Sequence, residues 1–518
     1  MTRNRFLFDR HMMKSAALAA ALFLCATPAV AEDPVTVTSQ LGGLTLTGRV
    51  IGFDGTYLTI ESDYGPLSLV YDRVSCVGTD CPDPATWYPQ VRLSGADRLA
   101  EILMPGLLEA FARSRSLTAD VVQTDADHLS ITLADAEGQR LAGFALRATT
   151  TDEGFADLVT FQADAVLAMR EVRPGELSRA EEVGLMGLTA ERQSYVLGLD
   201  ALVPVVSPLE TVDRISLSQL ARLYAGGTTG LTPYLTSEDD GQAQAFEDRL
   251  LRTARLTLSD DVMRQPDATS LTEVIGVTPG AIGMVNFGNT ATAQAISIED
   301  SCGYVALPTL TALKTQDYPL TLPLFLYLGQ QRQPQVMQDF LTWLRTPEAH
   351  LVVRRAGFVD QGPIPIPLDA QGQRFVNAIK SAGPDLPLEE LQRLVAVLTA
   401  HTRLSTTFRF EVGGTRLEAA SRSNLRDLAL TIEAGTYAGR DVLLAGFSDG
   451  QGDAAANLAL SEERAQAVAD ALMSLLGDAF PEDVSLTVAA FGEALPMGCD
   501  DTVWGRSANR RVELWVGD

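Results

Sequence analysis

Three side chains near the C-terminus have the types and spacing to hold a charged ligand: Asp449, Asn457 and Arg464. Asn457 and Arg464 lie seven residues apart, two turns along one helical face, and Asp449 stands just ahead at the end of a short apolar run, residues 442–447. Together they offer an anion acceptor, an amide and a guanidinium to one zwitterionic ligand. Taken singly, such an Asp is an ordinary helix-start residue and such an Arg an ordinary surface residue. A second candidate is Ser94-Gly95-Ala96, where a strand turns into a helix and backbone N–H groups make an anion cradle. Many α/β turns share that form.

Catalysis finds little support. Beyond the leader the histidines are His128, His350 and His401, scattered through three contexts, which defeats a His-based zinc site or a Ser-His-Asp triad. His350 reads as a surface or internally satisfied residue. No G-x-S-x-G, Walker loop or dinucleotide fingerprint occurs. Asp239/Asp240 and Asp500/Asp501 are adjacent pairs in expected loops and read as solvated charge. The chain is expected not to be an enzyme and to need no cofactor or metal.

The elements around the first candidate are legible. Residues 442–447 make a strand that stops at Ser448-Asp449-Gly450. A helix follows, with Leu458, Ala465, Val468, Leu472 and Leu475 at the spacing of one buried face. Two more strands come next, the last alternating Val512, Leu514 and Val516 against Arg511, Glu513 and Trp515. The N-x-x-L-S-x-x-R-A helix (Asn457 to Ala465) and the terminal G-R-x-x-N-R-R-V-E (Gly505 to Glu513) closely resemble the OmpA-like peptidoglycan-binding domain, over about 70 residues. The resemblance implies that Asp449 and Arg464 hold the amino-acid end of diaminopimelate in the cell-wall peptide. It adds Asn457, Asn509 and Arg510 as lesser contributors; the alternative role of the NRR segment is to close the sheet.

Upstream, residues 33–84 read as a small β module of short, β-branched, alternating strands separated by glycine turns. Around residues 90–367 strands alternate with helices, the pattern of an α/β domain. The stretch 163–170 is a buried strand ending in Arg170, residues 274–287 a turn and strand, and residues 340–360 close the domain with a helix. Residues 370–405 form a connector with one amphipathic helix, 388–400, and the OmpA-like part runs from 406 to 518. The order of elements in 90–367 resembles the PstS-type phosphate-binding proteins of ABC transporters, two-lobed clamps of the type II periplasmic-binding-protein class. The resemblance implies a first phosphate loop at Ser94-Gly95-Ala96, an accepting carboxylate at Asp97, and a strand-end cation at Arg170. The second loop, Ser-Gly-Thr in the family, is here Gly241-Gln242-Ala243 behind Asp239 and Asp240. Two hydroxyl donors are missing and two negative charges stand nearby, so a phosphate dianion is expected to bind weakly.

The other end of the chain fixes the expected compartment. Residues 13–31 carry one Lys, an apolar run and Ala29-Val30-Ala31 before Glu32, the form of a secretory signal peptide. Translation from Met12 or Met13 gives the more ordinary leader, and residues 1–31 are assigned to it. Cys25 lacks the small residue a lipoprotein cleavage site wants before it. The apolar core falls short of the ~20 residues of a spanning helix, and no later segment is apolar enough to span a membrane. The formal net charge of −26 excludes nucleic acid as a partner. Lysine is confined to Lys14, Lys314 and Lys380, so cationic chemistry rests on arginine. Cys76 and Cys81 are spaced to close a small loop in an oxidising compartment; the rival reading, half a metal site, has no Cys or His partner nearby. Cys302 and Cys499 either pair across domains or stay free.

The expectation is therefore an α/β multidomain protein of the periplasm, held on peptidoglycan, at the outer membrane in one version. Its central domain would take a small anion or an envelope protein. Two alternatives stand beside it: the phosphate-binding component of an ABC transporter, and a structural envelope protein with a vestigial cleft.

Overall fold

The computed structural model describes residues 34–84, 86–190, 193–329, 332–383, 386–411 and 414–517. The leader and its cleavage site at Glu32 lie outside the described residues. The chain divides into two compact units, one ending at Trp87 and the other running from Tyr88 to the C-terminus.

The first unit is an antiparallel five-stranded sheet in the order Gly65–Val70, Tyr57–Ser62, Thr45–Phe53, Val35–Ser39, Val74–Val77. Alternation turns Val35, Val37, Leu46, Leu58 and Ile60 to one side, where they form the core. Such a core is small, and the Cys76–Cys81 disulfide, with Cα atoms 5.8 Å apart, closes the edge of the unit.

The second unit holds two large sheets. In the first, Gln90–Ala96, Thr118–Gln123, His128–Ala134, Arg140–Thr149 and Ala165–Ala168 make one half, and Thr232–Thr236, Met263–Gln265 and Ala281–Asn286 the other. The long strand Ser194–Val206 joins them: its first part pairs with Thr321–Leu328 and its last residues with Ala281–Asn286. The halves are the two lobes of a binding-protein fold. Two local expectations are corrected. Val274–Val277 finish the helix Ala268–Val277 instead of turning, because Asp267 caps its start and Leu271 and Ile275 bury its face. Two helices, Gln335–Trp343 and Pro347–Arg355, close the domain where one was expected, since Pro347 starts a new helix.

The second sheet has the order Pro365–Ile366, Thr402–Arg409, Arg511–Gly517, Asp441–Phe447, Ser485–Ala490. Helices Ala419–Glu433 and Ala454–Leu476 cover one face, packing on Phe408, Val442, Leu444, Val512 and Leu514. The stretch expected as a connector supplies two helices, Gly372–Ser381 and Leu388–Thr399, whose Ala378, Leu394 and Leu398 pack on Leu443, Ala445, Phe447 and Trp515 of the other face. Both faces are thus covered, and every residue of Arg511–Gly517 is buried, Arg511 and Glu513 included. The Glu513 carboxylate meets Arg511 at 2.7 Å and Arg403 at 3.3 Å, bonds Arg374, and accepts the Trp515 indole N–H at 3.1 Å. Burial alone would raise its pKa; Arg374, Arg403 and Arg511 hold it far below the usual carboxylate range.

The two sheets are joined as one body. Asp317, just ahead of the strand Thr321–Leu328 of the first, reaches Arg403 at 3.0 Å and Arg409 at 3.2 Å in the second. Cys302 and Cys499 are paired in a disulfide across the same boundary, and Asp300 accepts the Cys499 N–H at 2.6 Å.

Candidate functional site

The strand Asp441–Phe447 delivers Asp449 to the sheet edge, and Asp453 caps the following helix by accepting the N–H groups of Ala455 and Ala456. The helix lies tight on the strand: a Cβ at Gly446 would stand 2.1 Å from the Ser461 carbonyl oxygen. That approach buries a face made of Asn457, Ser461, Arg464, Ala465, Val468, Leu472 and Leu476. Leu475, expected on the buried face, is exposed, and Leu458 is half-buried, because the contact stripe is turned toward the polar residues.

Arg464 is only 2 % exposed, yet among the described residues its Nε and Nη1 have no hydrogen-bond partner. Its guanidinium sits 5.6 Å from the centre of the Phe410 ring. Burial and the neighbouring Arg510 lower its pKa, and Asp449 opposes them. Asp449 pairs with Arg510 at 2.9 Å. Asn457 donates to Glu493 at 2.7 Å. Asp449, Arg464 and Arg510 are therefore electrostatic neighbours with Asn457 and Glu493 on the flank. Asn509 turns to other work: its side chain accepts the N–H groups of Met497 and Gly498 and donates to the Gly498 carbonyl and to Asp500. Asp500, expected as solvated charge, is a structural clasp that also accepts the Gly450 N–H at 2.8 Å. Glu493 and Phe410 went unsuspected in the sequence: Phe410 lies ahead of the preceding helix Ala419–Glu433, and no local signal ties it to Arg464. A buried guanidinium with free N–H groups beside a carboxylate is equipped to take a carboxylate and an ammonium from one ligand.

The central cleft is differently disposed. The Ser94 hydroxyl is buried and donates to Asp157 at 2.5 Å, and Arg147 shares that carboxylate. Gly95 serves packing: at φ +141° its Cβ would stand 2.0 Å from the Leu167 carbonyl oxygen. Ala96 is buried in the core. Arg170 is bound by Asp152, Glu176 and Asp248. The expected cradle residues are thus already engaged with the protein. Gly241 opens the short helix Gly241–Phe246, capped by Asp240, and a Cβ there would lie 2.8 Å from Asp97. Asp97 and Gly241, brought from the two lobes, touch across the cleft. Burial first, then Asp240, push the Asp97 carboxyl up to about 7, so Asp240 is no solvated loop charge either. Gln244 accepts the Asp152 N–H at 3.2 Å and Arg173 binds Asp248, which ties the lobes together. His350 lies beside Asp360, its Nδ1 3.9 Å from the carboxylate and beyond hydrogen-bond reach. Asp300, Cys302 and Cys499 come together, but the two sulfurs are joined to each other.

Residues 409–510 match the OmpA family, and residues 109–348 match the PBP superfamily domain. The chain carries an OmpA domain behind a PBP-like domain. Both are families of binding proteins. Among solved structures, an ABC-type phosphate transport receptor from Vibrio cholerae is similar at 16% identity and TM-score 0.41, covering 52% of this chain and 99% of its own. PstS from Borrelia burgdorferi is similar at 15% identity and TM-score 0.37, covering 52% and 98%. The peptidoglycan-associated lipoprotein from Burkholderia pseudomallei is similar to the OmpA domain's share of the chain, at 25% identity and TM-score 0.19, covering 21% and 89%. No curated protein matches. Among the described residues no helix is long and apolar enough to cross a membrane.

Proposed function

We propose that this protein is a non-enzymatic binding protein of the periplasm. Its OmpA domain would fix it to peptidoglycan, with the PBP-like part (residues 90–367) and the β module (33–84) held on that anchor. The carrying observation is Arg464, buried beside Asp449 with two nitrogens unsatisfied among the described residues. An unpaired buried donor costs about 1–3 kcal/mol, and the carboxylate of a diaminopimelate head would recover it while Asp449 takes the ammonium. Arg510 holds Asp449 in the free protein and would share it in the complex. Sedimentation with purified sacculi tests this. Asp449→Ala and Arg464→Ala are each expected to lower affinity by about 2–5 kcal/mol; wall binding by both folded variants equal to that of the parent would refute the site.

The PBP-like part supports small-ligand binding as a class, and its cleft argues against tight phosphate uptake. Ser94 and Arg170 are occupied, Asp97 and Asp240 oppose a dianion, and the lobes are already bonded shut. Titration calorimetry of the full chain with inorganic phosphate is expected to give no saturation in the micromolar range. Micromolar binding would instead move the transport reading to first place.

A further inference from the structure

A cavity of about 500 Å³ opens between the PBP-like part and the OmpA domain; it shares Arg170, Arg173 and Asp248 with the central cleft and lies apart from the Arg464 site. Most charges on its wall are already matched: Arg170, Arg173 and Arg252 share Asp248, Arg409 holds Asp317, and Glu411 pairs with Arg416. Two are not. Arg249 makes one side-chain hydrogen bond among the described residues, from Nε to the Pro319 carbonyl at 3.2 Å, and no carboxylate of those residues lies within ion-pair distance of it. Glu418 precedes the helix Ala419–Glu433 but does not cap it. That task falls to Glu171 from the other side of the boundary, which accepts the Ala419 N–H at 2.8 Å. Among the described residues, Glu418 is thereby left lining the cavity without a side-chain hydrogen bond or ion pair.

Opposite charges on long side chains in a shared cavity would ordinarily close on each other. Here the Pro319 carbonyl holds the Arg249 guanidinium back, and Glu418 stands on a separate element. Both charges interact electrostatically across the space, and the rest of the wall includes Met169, Leu322, Phe325 and Trp504. Separated opposite charges in a cavity that also presents apolar side chains are complementary to a zwitterion with an apolar body. A dianion is disfavoured by Glu171 and Glu418, and a bare cation by Arg249. We propose that this cavity binds a free α-amino acid with an apolar side chain, its carboxylate on Arg249 and its ammonium on Glu418. Since one anchor belongs to each domain, the ligand would bridge the boundary.

The environment of Glu418 agrees. Burial and Glu171 push its carboxyl up to about 7, against the opposing pull of Arg409, Arg249 and Arg510. An arriving ammonium favours the ionised form, so binding near neutrality releases protons.

Titration calorimetry of the full chain with L-leucine, L-methionine and L-phenylalanine tests the site. Saturable binding of at least one is expected, with proton release when two buffers of different ionisation heat are compared. For that amino acid, the C-terminal amide and the N-acetyl derivative are each expected to bind about tenfold or more weakly. Arg249→Gln should erase the discrimination against the amide, and Glu418→Gln that against the N-acetyl form. No saturable heat from any of the three, or equal affinity for the free and blocked forms, would overturn the proposal. The blocked ligands are tested on the parent chain, so the outcome stands even where a variant fails to fold.

Discussion

At the scale of single residues, Asp97 carries the clearest consequence. Its carboxyl is raised to about 7 by burial and by Asp240 across the cleft. Between about pH 4 and pH 7 the folded chain holds a proton there that the unfolded chain gives up. Its contribution to stability is therefore intact below about pH 4 and is lost as pH rises through about 7. Asp97→Asn keeps a side-chain oxygen for the Arg98 N–H, bonded at 2.8 Å, and removes the charge. The variant is expected to be more stable than the parent by roughly 1–3 kcal/mol at about pH 8 and equal to it near pH 4, as read by denaturant melts. A constant difference across that range would show that Asp97 is solvated and the cleft open. Arg464 makes the opposite case at the same scale: its cost is an unmet donor, and a ligand relieves it where a proton does not.

At the scale of elements, what could be read in the sequence was what local chemistry decides. The strands of the first unit follow from alternation and glycine turns, and the order strand, helix, strand, strand of the C-terminal part follows from period and motif. The Cys76–Cys81 bridge needed only spacing. The misreadings share a non-local cause. Leu475 and Leu476 fit a helical stripe almost equally well, and the choice was made by Gly446, whose missing Cβ rotates the helix onto Ser461 and Arg464. Nothing within the helix says that an arginine faces inward; the aromatic ring beneath it comes from Phe410, far away in the chain. The last strand alternates polar and apolar residues as a half-exposed strand would. Its polar side is nonetheless buried, because two helices from the supposed connector cover it and bring Arg374 to Glu513. Ser94 and Arg170 carried the right residue types for an anion cradle, but Asp157, Asp152, Glu176 and Asp248 reached them first. Residue type is local, whereas the satisfaction of that residue is tertiary.

At the scale of the molecule, the stretches 90–367 and 406–518 lie within one compact unit. Asp317 is one ionic link between them: its side chain is only 9 % exposed, and Arg403 and Arg409 of the second sheet close on it. Burial would raise its pKa, but Arg403, Arg409, Arg374 and Arg511 hold it below the usual carboxylate range. A folded pKa that is depressed gives stability present above the unfolded value of about 4 and lost as pH falls through the folded one. Removing one member of a buried ion pair strands its partners and typically costs about 3–5 kcal/mol. Asp317→Ala is accordingly expected to destabilise residues 88–518 by that order near pH 7, with the Cys302–Cys499 bridge intact. The two sheets should lose their near-ultraviolet signal and their protection from protease together, in one transition, in the parent chain. In the variant the gap to the parent should narrow as pH is lowered below about 4, where the parent also begins to lose the ionised carboxylate. A variant as stable as the parent at neutral pH, or a parent whose sheets unfold in two well-separated steps, would show that the boundary is a loose contact and that the domains move independently on the wall.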